Sequence, residues 1–215
     1  MNRGGRIGET LYELAKRPEV EKVLEIGTWN GEGSTYCLAQ GLGETSGRLV
    51  SIEVDAEQHG KAASFYEGKD LPVELIQGLT LHPDDYAPYE SYLPLISEHH
   101  YEQEAPGTHE TWYRQELELA GSAERTDVLW ELLEREGEFD LVLFDGGEFL
   151  SHSEFLFLEP HVARYIVLDD TNGRMAIKNT LSRDWLIGSS AWELAIDEQH
   201  ERNGWLVAER KRVSS

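Results

Sequence analysis

Three glycines, Gly27, Gly31 and Gly33, lie within seven residues, between the apolar run at 23–26 and a helix-compatible stretch that opens at Ser34. The run predicts a buried strand, and the glycines predict a tight turn into a helix N-terminus. Glycine lets the backbone approach a ligand closely. The unpaired N–H groups at a helix N-terminus favour an anionic or electron-rich group. The stretch therefore predicts a site for a nucleotide-like cofactor.

The spacing of these glycines restricts the cofactor. The dinucleotide fingerprint Gly-x-Gly-x-x-Gly fails in both registers, because Trp29 or Tyr36 occupies a glycine position. The P-loop also fails, since no Gly-Lys-Ser/Thr follows. What remains, Glu-x-Gly-x-x-x-Gly-x-Gly from Glu25 to Gly33, resembles the first motif of class I S-adenosylmethionine (SAM)-dependent methyltransferases. In that family the loop wraps the methionine part of the cofactor. The alternative is a glycine-rich turn without a ligand.

Two later positions extend the predicted cofactor site. Glu53 ends a predicted strand at 48–53, where an acid can accept both hydroxyls of a ribose, and the resemblance puts the ribose-binding acid there as well. Gly78 follows a strand at 73–77 and begins the loop near which adenine would rest in such a fold. A solvent-facing Glu53 is the alternative. The predicted SAM contacts are Glu25, Gly27, Thr28, Trp29, Gly31, Gly33, Ser34, Glu53, Gly78 and Asp145.

Carboxylates also end two later strands. Asp145 follows the predicted strand at 139–144, and Asp169 and Asp170 follow the one at 165–168. In an open parallel sheet, ligands lie outside the carboxyl ends of the strands. Carboxylates that lie close together repel unless a proton or a cation intervenes, and a cluster of oxygen ligands suits Mg²⁺. The alternative is that Asp145 positions substrate or cofactor and that Asp169 or Asp170 caps a helix.

This acidic group resembles that of the metal-dependent O-methyltransferases of the catechol and macrocin type, which have an Asp after strand four and Asp-Asp or Asp-Asn after strand five. The resemblance implies Asp145, Asp169 and Asp170 as ligands of Mg²⁺ or Mn²⁺, and methylation of a hydroxyl on a small molecule or sugar. The sequence Asp-Gly-Gly-Glu-Phe departs from the Asp-Gly-Asp-His-like sequence of the macrocin group. The identity of the base is therefore open, and Glu148 and His152 are the candidates to accept the hydroxyl proton.

The alternation of apolar runs and amphipathic stretches predicts an α/β fold. It is a Rossmann-like, doubly wound, seven-stranded and mostly parallel sheet with a terminal antiparallel strand, in a single domain over 1–215. The predicted strands are 22–26, 48–53, 73–77, 139–144, 165–168, 192–196 and 205–208. The predicted helices are 6–18, 33–41, 56–67, 126–136, 151–159 and 174–186.

A long segment at about 79–124 interrupts this alternation. A connection of this length is expected to be functional or to have helices of its own. It is rich in aromatic residues, namely Tyr86, Tyr89, Tyr92, Tyr101, Trp112 and Tyr113. Three interpretations remain open. The segment is a lid or acceptor-binding wall, a helical arm that forms a homodimer, or a small helical insert with its aromatic side chains packed underneath.

Composition excludes several partners. The formal net charge of −22 argues against nucleic acid, because a phosphate backbone would be repelled. The acidity fits either a salt-rich cytoplasm or an ordinary acidic surface. No apolar run approaches the length of a membrane span, and the start of the chain lacks the apolar region of a signal peptide. The single cysteine, Cys37, cannot form an internal disulfide, so we expect a cytoplasmic protein.

Three functional hypotheses follow. The first is SAM-dependent O-methylation assisted by a divalent metal, and the second is a SAM-dependent methyltransferase that uses a side-chain base without a metal. The third is a non-catalytic SAM-binding protein or a dinucleotide oxidoreductase. The failed dinucleotide fingerprint argues against an oxidoreductase, and the acidic group argues against a binder without turnover.

Overall fold

The computed structural model describes residues 4–99, 107–173 and 176–212. Its centre is a seven-stranded sheet in the order β3-β2-β1-β4-β5-β7-β6. The strands are β1 Lys22–Ile26, β2 Arg48–Glu53, β3 Val73–Gln77, β4 Phe139–Phe144, β5 Val162–Asp169, β6 Trp192–Glu198 and β7 Trp205–Arg210. The helices in the described residues are α1 Arg6–Ala15, α2 Ser34–Leu42, α3 Ala56–Tyr66, α4 Leu93–His99, α5 Thr108–Gly121, α6 Val128–Glu136, α7 Ser151–Leu158 and α8 Thr180–Gly188.

Strand directions confirm the predicted fold class. Strands β1 to β5 pair in parallel, and β7 pairs antiparallel to both β5 and β6. The strand order reverses between β1 and β4, because the chain first builds the sheet outward through β2 and β3 and then returns to the other side of β1. This reversal opens a crevice at the carboxyl ends of β1 and β4, which is the usual ligand position in such sheets.

Alternating side chains bury both faces of the central strands. Leu24 of β1 packs in the cluster that contains Leu129 of α6 and Phe155 of α7. Its neighbour Val23 packs in the cluster that contains Leu11 of α1 and Leu38 of α2. Because successive side chains of a strand point to opposite faces, one short apolar run supplies both layers of the core and fixes where the carboxyl end of β1 lies.

The segment before α8 differs from its prediction. The sequence predicted a helix over 174–186, but the helix begins at Thr180, and residues 174 and 175 lie outside the described residues. The reason is visible at residues 176–179. The N–H groups of Ile177 and Lys178 donate to the Glu148 carboxylate, and the Asn179 amide donates to two strand-end carbonyls. These bonds hold the segment in turns against the ends of β4 and β5.

The insert is helical, and several of its aromatic side chains pack beneath it. Two short 3₁₀ turns, α4 and α5 occupy most of its described length. The rings of Tyr92 and Tyr113 lie 5.3 and 5.5 Å from that of Phe149, which follows β4, and the Tyr92 hydroxyl donates to the Phe149 carbonyl. The predicted aromatic Tyr101 lies outside the described residues. The roles of lid and dimerisation arm, and the single-domain boundary, stay predictions.

Within the described ranges, no helix has the combination of length and apolar composition that a membrane span requires. The cytoplasmic location stays a prediction.

Candidate active site

A cavity of about 730 Å³ opens at the carboxyl ends of the parallel strands, within the size range of small-molecule sites. It has two chemically different ends, which we name by their residues. The glycine end is lined by Gly27, Thr28, Trp29, Gly33, Ser34, Glu53 and Gly78, and the charged end by Thr80, Glu116, Asp145, Glu154 and Lys178. Of the ten residues predicted to bind the cofactor, eight line the cavity, and the other two are Glu25 and Gly31.

The glycine end is shaped by its backbone. A Cβ atom at Gly27, where φ is +95°, would lie 2.2 Å from the Asp145 carbonyl oxygen, so only glycine lets β1 and β4 approach here. Trp29 also has a positive φ of 52°, and its ring is 64% exposed at the rim of the cavity. Helix α2 begins beyond Gly33 without a capping side chain. The N–H groups of its first turn are therefore available to a ligand.

Glu53 is held in place by the backbone. The Trp29 N–H donates to its Oε2 at 2.7 Å, and the Asp55 N–H donates to its Oε1 at 2.9 Å. Burial raises the pKa of Glu53, although these hydrogen bonds oppose the shift. Each carboxylate oxygen has a further lone pair, so the group can accept from hydroxyls in the cavity while it remains oriented.

Glu25 and Gly31 lie behind the lining and support the turn. Burial raises the pKa of Glu25 to about 7, although hydroxyl donors counteract it, and the Ser51 hydroxyl donates to Glu25 Oε2 at 2.6 Å. The Tyr66 hydroxyl donates to the Gly31 carbonyl at 2.9 Å. Direct contact of Glu25 or Gly31 with a cofactor stays a prediction.

The three predicted acids come together beside the charged end, which Asp145 lines. One carboxylate oxygen each from Asp145, Asp169 and Asp170 lie within 4.8 Å of one another. Asp169 is 1% exposed, and its burial, reinforced by the other two carboxylates, raises its pKa to about 7. Arg202 Nη2 lies 3.2 Å from Asp169 Oδ2, while Oδ1 has no hydrogen-bond partner among the described residues. The three carboxylates thus lie close together as predicted, and such a group needs a proton or a cation between its members. Their role as metal ligands stays a prediction.

A lysine that the sequence analysis missed supplies a cation. Lys178 Nζ lies 2.8 Å from Asp145 Oδ1 and 3.0 Å from Asp170 Oδ2. Burial disfavours the charge on Lys178, but the carboxylates outweigh burial and hold its pKa above the ordinary value. Mg²⁺ needs its oxygens at about 2.0–2.1 Å. Because the ammonium already lies between two of the three carboxylates, the cluster does not fit a divalent ion while Lys178 is in place.

The two candidate bases are placed away from the lining. Glu148 Oε1 accepts from the N–H groups of Ile177 and Lys178, at 2.5 and 3.3 Å, and burial raises the pKa of Glu148. His152 Nδ1 lies 3.0 Å from the Ser182 hydroxyl, and burial lowers the pKa of its ring. Neither residue lines the cavity. Their role as base stays a prediction.

Glu154 is a carboxylate at the charged end that the sequence analysis did not find. It is 3% exposed, and burial raises its pKa to about 7. The Thr80 hydroxyl donates to Oε1, and Oε2 has no hydrogen-bond partner among the described residues. The only signal in the sequence is a polar residue on the inner face of a predicted apolar helix. A buried acceptor without a partner costs free energy unless a ligand satisfies it.

Glu116 connects the insert to this end. It projects from α5 and accepts from the N–H groups of Glu148 and Phe149, the latter at 2.9 Å. Burial raises its pKa to about 7, and these bonds counteract the shift. No spacing in the sequence links residue 116 to residues 148 and 149, because only the folded sheet brings them together.

The balance of charge in the lining is strongly negative. Among the described residues that line it, Lys178 is the only basic one. The acids are Glu32, Glu53, Asp55, Glu116, Asp145 and Glu154. Such a cavity favours a cationic ligand and opposes a polyphosphate.

Comparison with known proteins identifies the fold as that of the class I methyltransferases. No protein-family model matches the chain, and no curated protein matches its sequence. Solved structures do match. The O-methyltransferase from Bacillus cereus in complex with SAH is 19% identical, with a TM-score of 0.58 over 95% of this chain and 80% of that chain.

Two further structures have the same fold. The O-methyltransferase TomG from Streptomyces achromogenes, involved in tomaymycin synthesis and in complex with SAM, is 20% identical, with a TM-score of 0.58 over 96% of this chain and 80% of that chain. Cofactor-bound Rv0187 from MTB is 19% identical, with a TM-score of 0.59 over 96% of this chain and 80% of that chain. At these identities the likeness establishes the architecture.

Proposed function

We propose that the protein is a SAM-dependent methyltransferase that methylates a hydroxyl oxygen of a small molecule or sugar. The observation that supports this most strongly is the cavity itself. It joins a glycine-rich turn, a strand-end carboxylate and a strongly acidic lining at the switch point of a methyltransferase-like sheet. Solved O-methyltransferases with SAH or SAM bound have the same fold.

The charge of the cavity selects SAM over a dinucleotide. SAM supplies an electrophilic methyl group on a positively charged sulfur, and its methionine part bears an ammonium group, whereas a dinucleotide brings an anionic pyrophosphate. Glu53 would accept from the ribose hydroxyls. The N–H groups at the start of α2 would bind the methionine carboxylate. The six acids of the lining would attract the cationic parts.

Glu154 is placed to accept the proton of the acceptor hydroxyl. In the reaction, the acceptor oxygen bonds to the methyl carbon while the sulfur–carbon bond breaks and its electron pair stays on sulfur. The hydroxyl proton must leave, and Glu154 Oε2 is an unpartnered acceptor on a residue of the cavity wall. A pKa of about 7 for Glu154 suits a general base at neutral pH. Glu148 and His152 are the alternative bases, although neither lines the cavity.

A narrower version of this function uses Mg²⁺ or Mn²⁺ at Asp145, Asp169 and Asp170. The unpartnered Asp169 Oδ1 and the 4.8 Å spread of the three carboxylates favour it. It requires the Lys178 ammonium to leave Asp145 and Asp170. Because that rearrangement would uncover a buried positive charge, the version without a metal is the one we favour.

The partner of the reaction would be a small hydroxylated molecule or a glycan that enters beside the insert. We further propose that the protein forms a homodimer through the insert and that it is located in the cytoplasm.

Thermal unfolding with SAM, SAH and NAD tests the cofactor, because a ligand that binds only the native state raises the midpoint. We expect SAM and SAH to raise it and NAD to leave it unchanged. Stabilisation by NAD alone would contradict the proposal. SAH release from SAM is then measured over a panel of vicinal diols and sugars, with and without EDTA. SAM binding without turnover on any acceptor would favour the non-catalytic alternative.

A further inference from the structure

We propose that Lys178 is the resident cation of the charged end, in the position where a divalent ion would lie, and that its remaining N–H donor binds the acceptor oxygen. This inference rests on the proposed methyl transfer for the role of the acceptor. The cationic role itself rests on the contacts of Lys178 alone.

The first step is how the backbone delivers the lysine. The Asn179 side chain is fully buried and donates to the carbonyls of Phe144 and Asp169, at 3.0 and 2.7 Å. These are the last residues of β4 and β5. The Glu148 carboxylate accepts from the N–H of Lys178 itself. The backbone at the lysine is thus fastened to the loop after β4, and the next residue is fastened to the ends of β4 and β5.

The second step is the geometry of the ammonium group. It contacts Asp145 and Asp170 at ordinary charge-assisted hydrogen-bond distances, 2.8 and 3.0 Å, and the Lys178 side chain is only 10% exposed. An ammonium has three N–H donors. In the described part of the chain, these two carboxylates are its only hydrogen-bond acceptors, and Lys178 lines the cavity. One donor is therefore available to a ligand atom.

The third step is the charge balance around the three acids. Lys178 pairs with Asp145 and Asp170, and Arg202 pairs with Asp169. Two positive charges therefore face three carboxylates, which leaves room for one proton or one more donor group but not for two further charges. A divalent ion would compete with Lys178 for the carboxylates of Asp145 and Asp170. The geometry points to an arrangement that needs no metal.

The fourth step is what the lysine does for an acceptor. An ammonium is a compact positive charge, so a hydroxyl oxygen bound to it loses its proton more readily. As that proton moves to the Glu154 carboxylate, the negative charge that develops on the acceptor oxygen stays next to the fixed ammonium of Lys178. The carboxylates of Asp145 and Asp170 keep the lysine in position throughout. The roles of orienting and charge-stabilising the acceptor therefore both fall to one side chain.

The test is Mn²⁺ binding, measured by electron paramagnetic resonance, on the wild type and on Lys178→Met, which keeps the length and removes the charge. Lys61→Met is the matched control, since Lys61 is exposed and pairs with Glu57 of the same helix. We expect wild type and Lys61→Met to bind Mn²⁺ alike and weakly. We expect Lys178→Met to bind it at least about tenfold more tightly, because Asp145 and Asp170 have then lost their ammonium partner. Asp170→Asn in the Lys178→Met background should abolish this gain.

Tight Mn²⁺ binding by the wild type, or loss of its turnover in EDTA, would overturn the proposal. If Lys178→Met does not fold, the wild-type titration and Lys178→Arg, which keeps the charge and should not gain Mn²⁺ affinity, still decide it. SAM affinity is measured on each variant by calorimetry. A wild type that binds no SAM would refute the proposed function, while the Mn²⁺ result would still report on Lys178.

Discussion

The two ends of the cavity are built in different ways. Most of the glycine end comes from consecutive residues, 27–34, and its polar groups are fastened by backbone N–H groups, as in the two bonds that orient Glu53. The charged end takes its residues from five separate parts of the chain. Among the described residues, no hydrogen-bond partner contacts the buried Glu154 Oε2 at this end or Asp169 Oδ1 beside it. The polar groups of the glycine end are therefore already oriented for a ligand, whereas the charged end has a buried oxygen that can still accept a hydrogen bond.

This difference separates binding from chemistry. A site whose polar groups are already oriented binds its ligand with little reorganisation. A site with buried, incompletely satisfied acids is under electrostatic strain, and the pKa values of such acids move toward the pH at which proton transfer operates. Substitutions at the two ends should therefore affect different measurements.

The largest effect is expected at the charged end. Glu154→Gln keeps the shape of the side chain but removes its capacity to take a proton, so turnover should fall by about 100-fold or more. SAM affinity should stay within about twofold, because the glycine end is untouched. Steady-state kinetics and calorimetry check the two values, with Glu118→Gln on α5 as the control. Near-normal turnover would contradict the assignment of Glu154 as the base and favour Glu148 or His152.

The second effect is expected at the glycine end. Glu53→Ala should weaken SAM binding by about 1–3 kcal/mol, since ribose hydroxyls would lose a charged partner. It also leaves the N–H groups of Trp29 and Asp55 without their acceptor. Turnover at saturating SAM should change much less than binding. A folded variant with unchanged SAM affinity in calorimetry would remove Glu53 from the site.

A third prediction uses pH. The pKa values of Glu25, Glu116 and Glu154 are raised to about 7 by burial. The native state therefore holds protons more tightly than the unfolded chain, and this stabilisation is complete below the unfolded pKa and lost as the pH rises through 7. We expect the free energy of unfolding to fall by about 2 kcal/mol for each of these groups between pH 5.5 and 8, so Glu154→Gln should remove about one third of their joint effect. Urea unfolding of wild type and Glu154→Gln checks it, and an identical slope in both would contradict the assignment to Glu154.

The smallest effect tests support of the glycine turn. Tyr66→Phe removes the hydroxyl that donates to the Gly31 carbonyl. Unfolding free energy should fall by about 1 kcal/mol, and SAM affinity should fall less than in Glu53→Ala. If Tyr66→Phe weakens SAM binding as much as Glu53→Ala does, this single hydrogen bond holds the turn, and the backbone alone does not orient the glycine end.

The same difference explains what the sequence could predict. Glycine spacing, an apolar run and a strand-end acid are local patterns, so the turn at 27–34 and the position of Glu53 were accessible. Asp145, Asp169 and Asp170 were also accessible, because the ends of neighbouring parallel strands meet at one edge of the sheet. The first four strands have the predicted bounds, whereas β5 is Val162–Asp169 where the sequence predicted 165–168.

Lys178, Glu154 and Glu116 were not accessible, because each acquires its role from contacts across the fold. Lys178 was assigned to a predicted helix, and side-chain bonds from Glu148 and Asn179 override the local preference there. The sequence around this lysine has no apolar periodicity that would predict a buried side chain. Its partners are 33 and 8 residues away in the chain.

Two carboxylate side chains, those of Glu116 and Glu148, link three separate segments around the charged end. Glu116 of the insert bonds to the backbone at residues 148 and 149, and the Glu148 side chain bonds to the backbone at residues 177 and 178. The insert, the loop after β4 and the lysine segment are therefore linked in series. A foreign insert grafted onto this scaffold without an acid at position 116 would release the loop and displace the lysine. A change of acceptor would thus require matched changes in the insert, the loop after β4 and the lysine segment, and not in the insert alone.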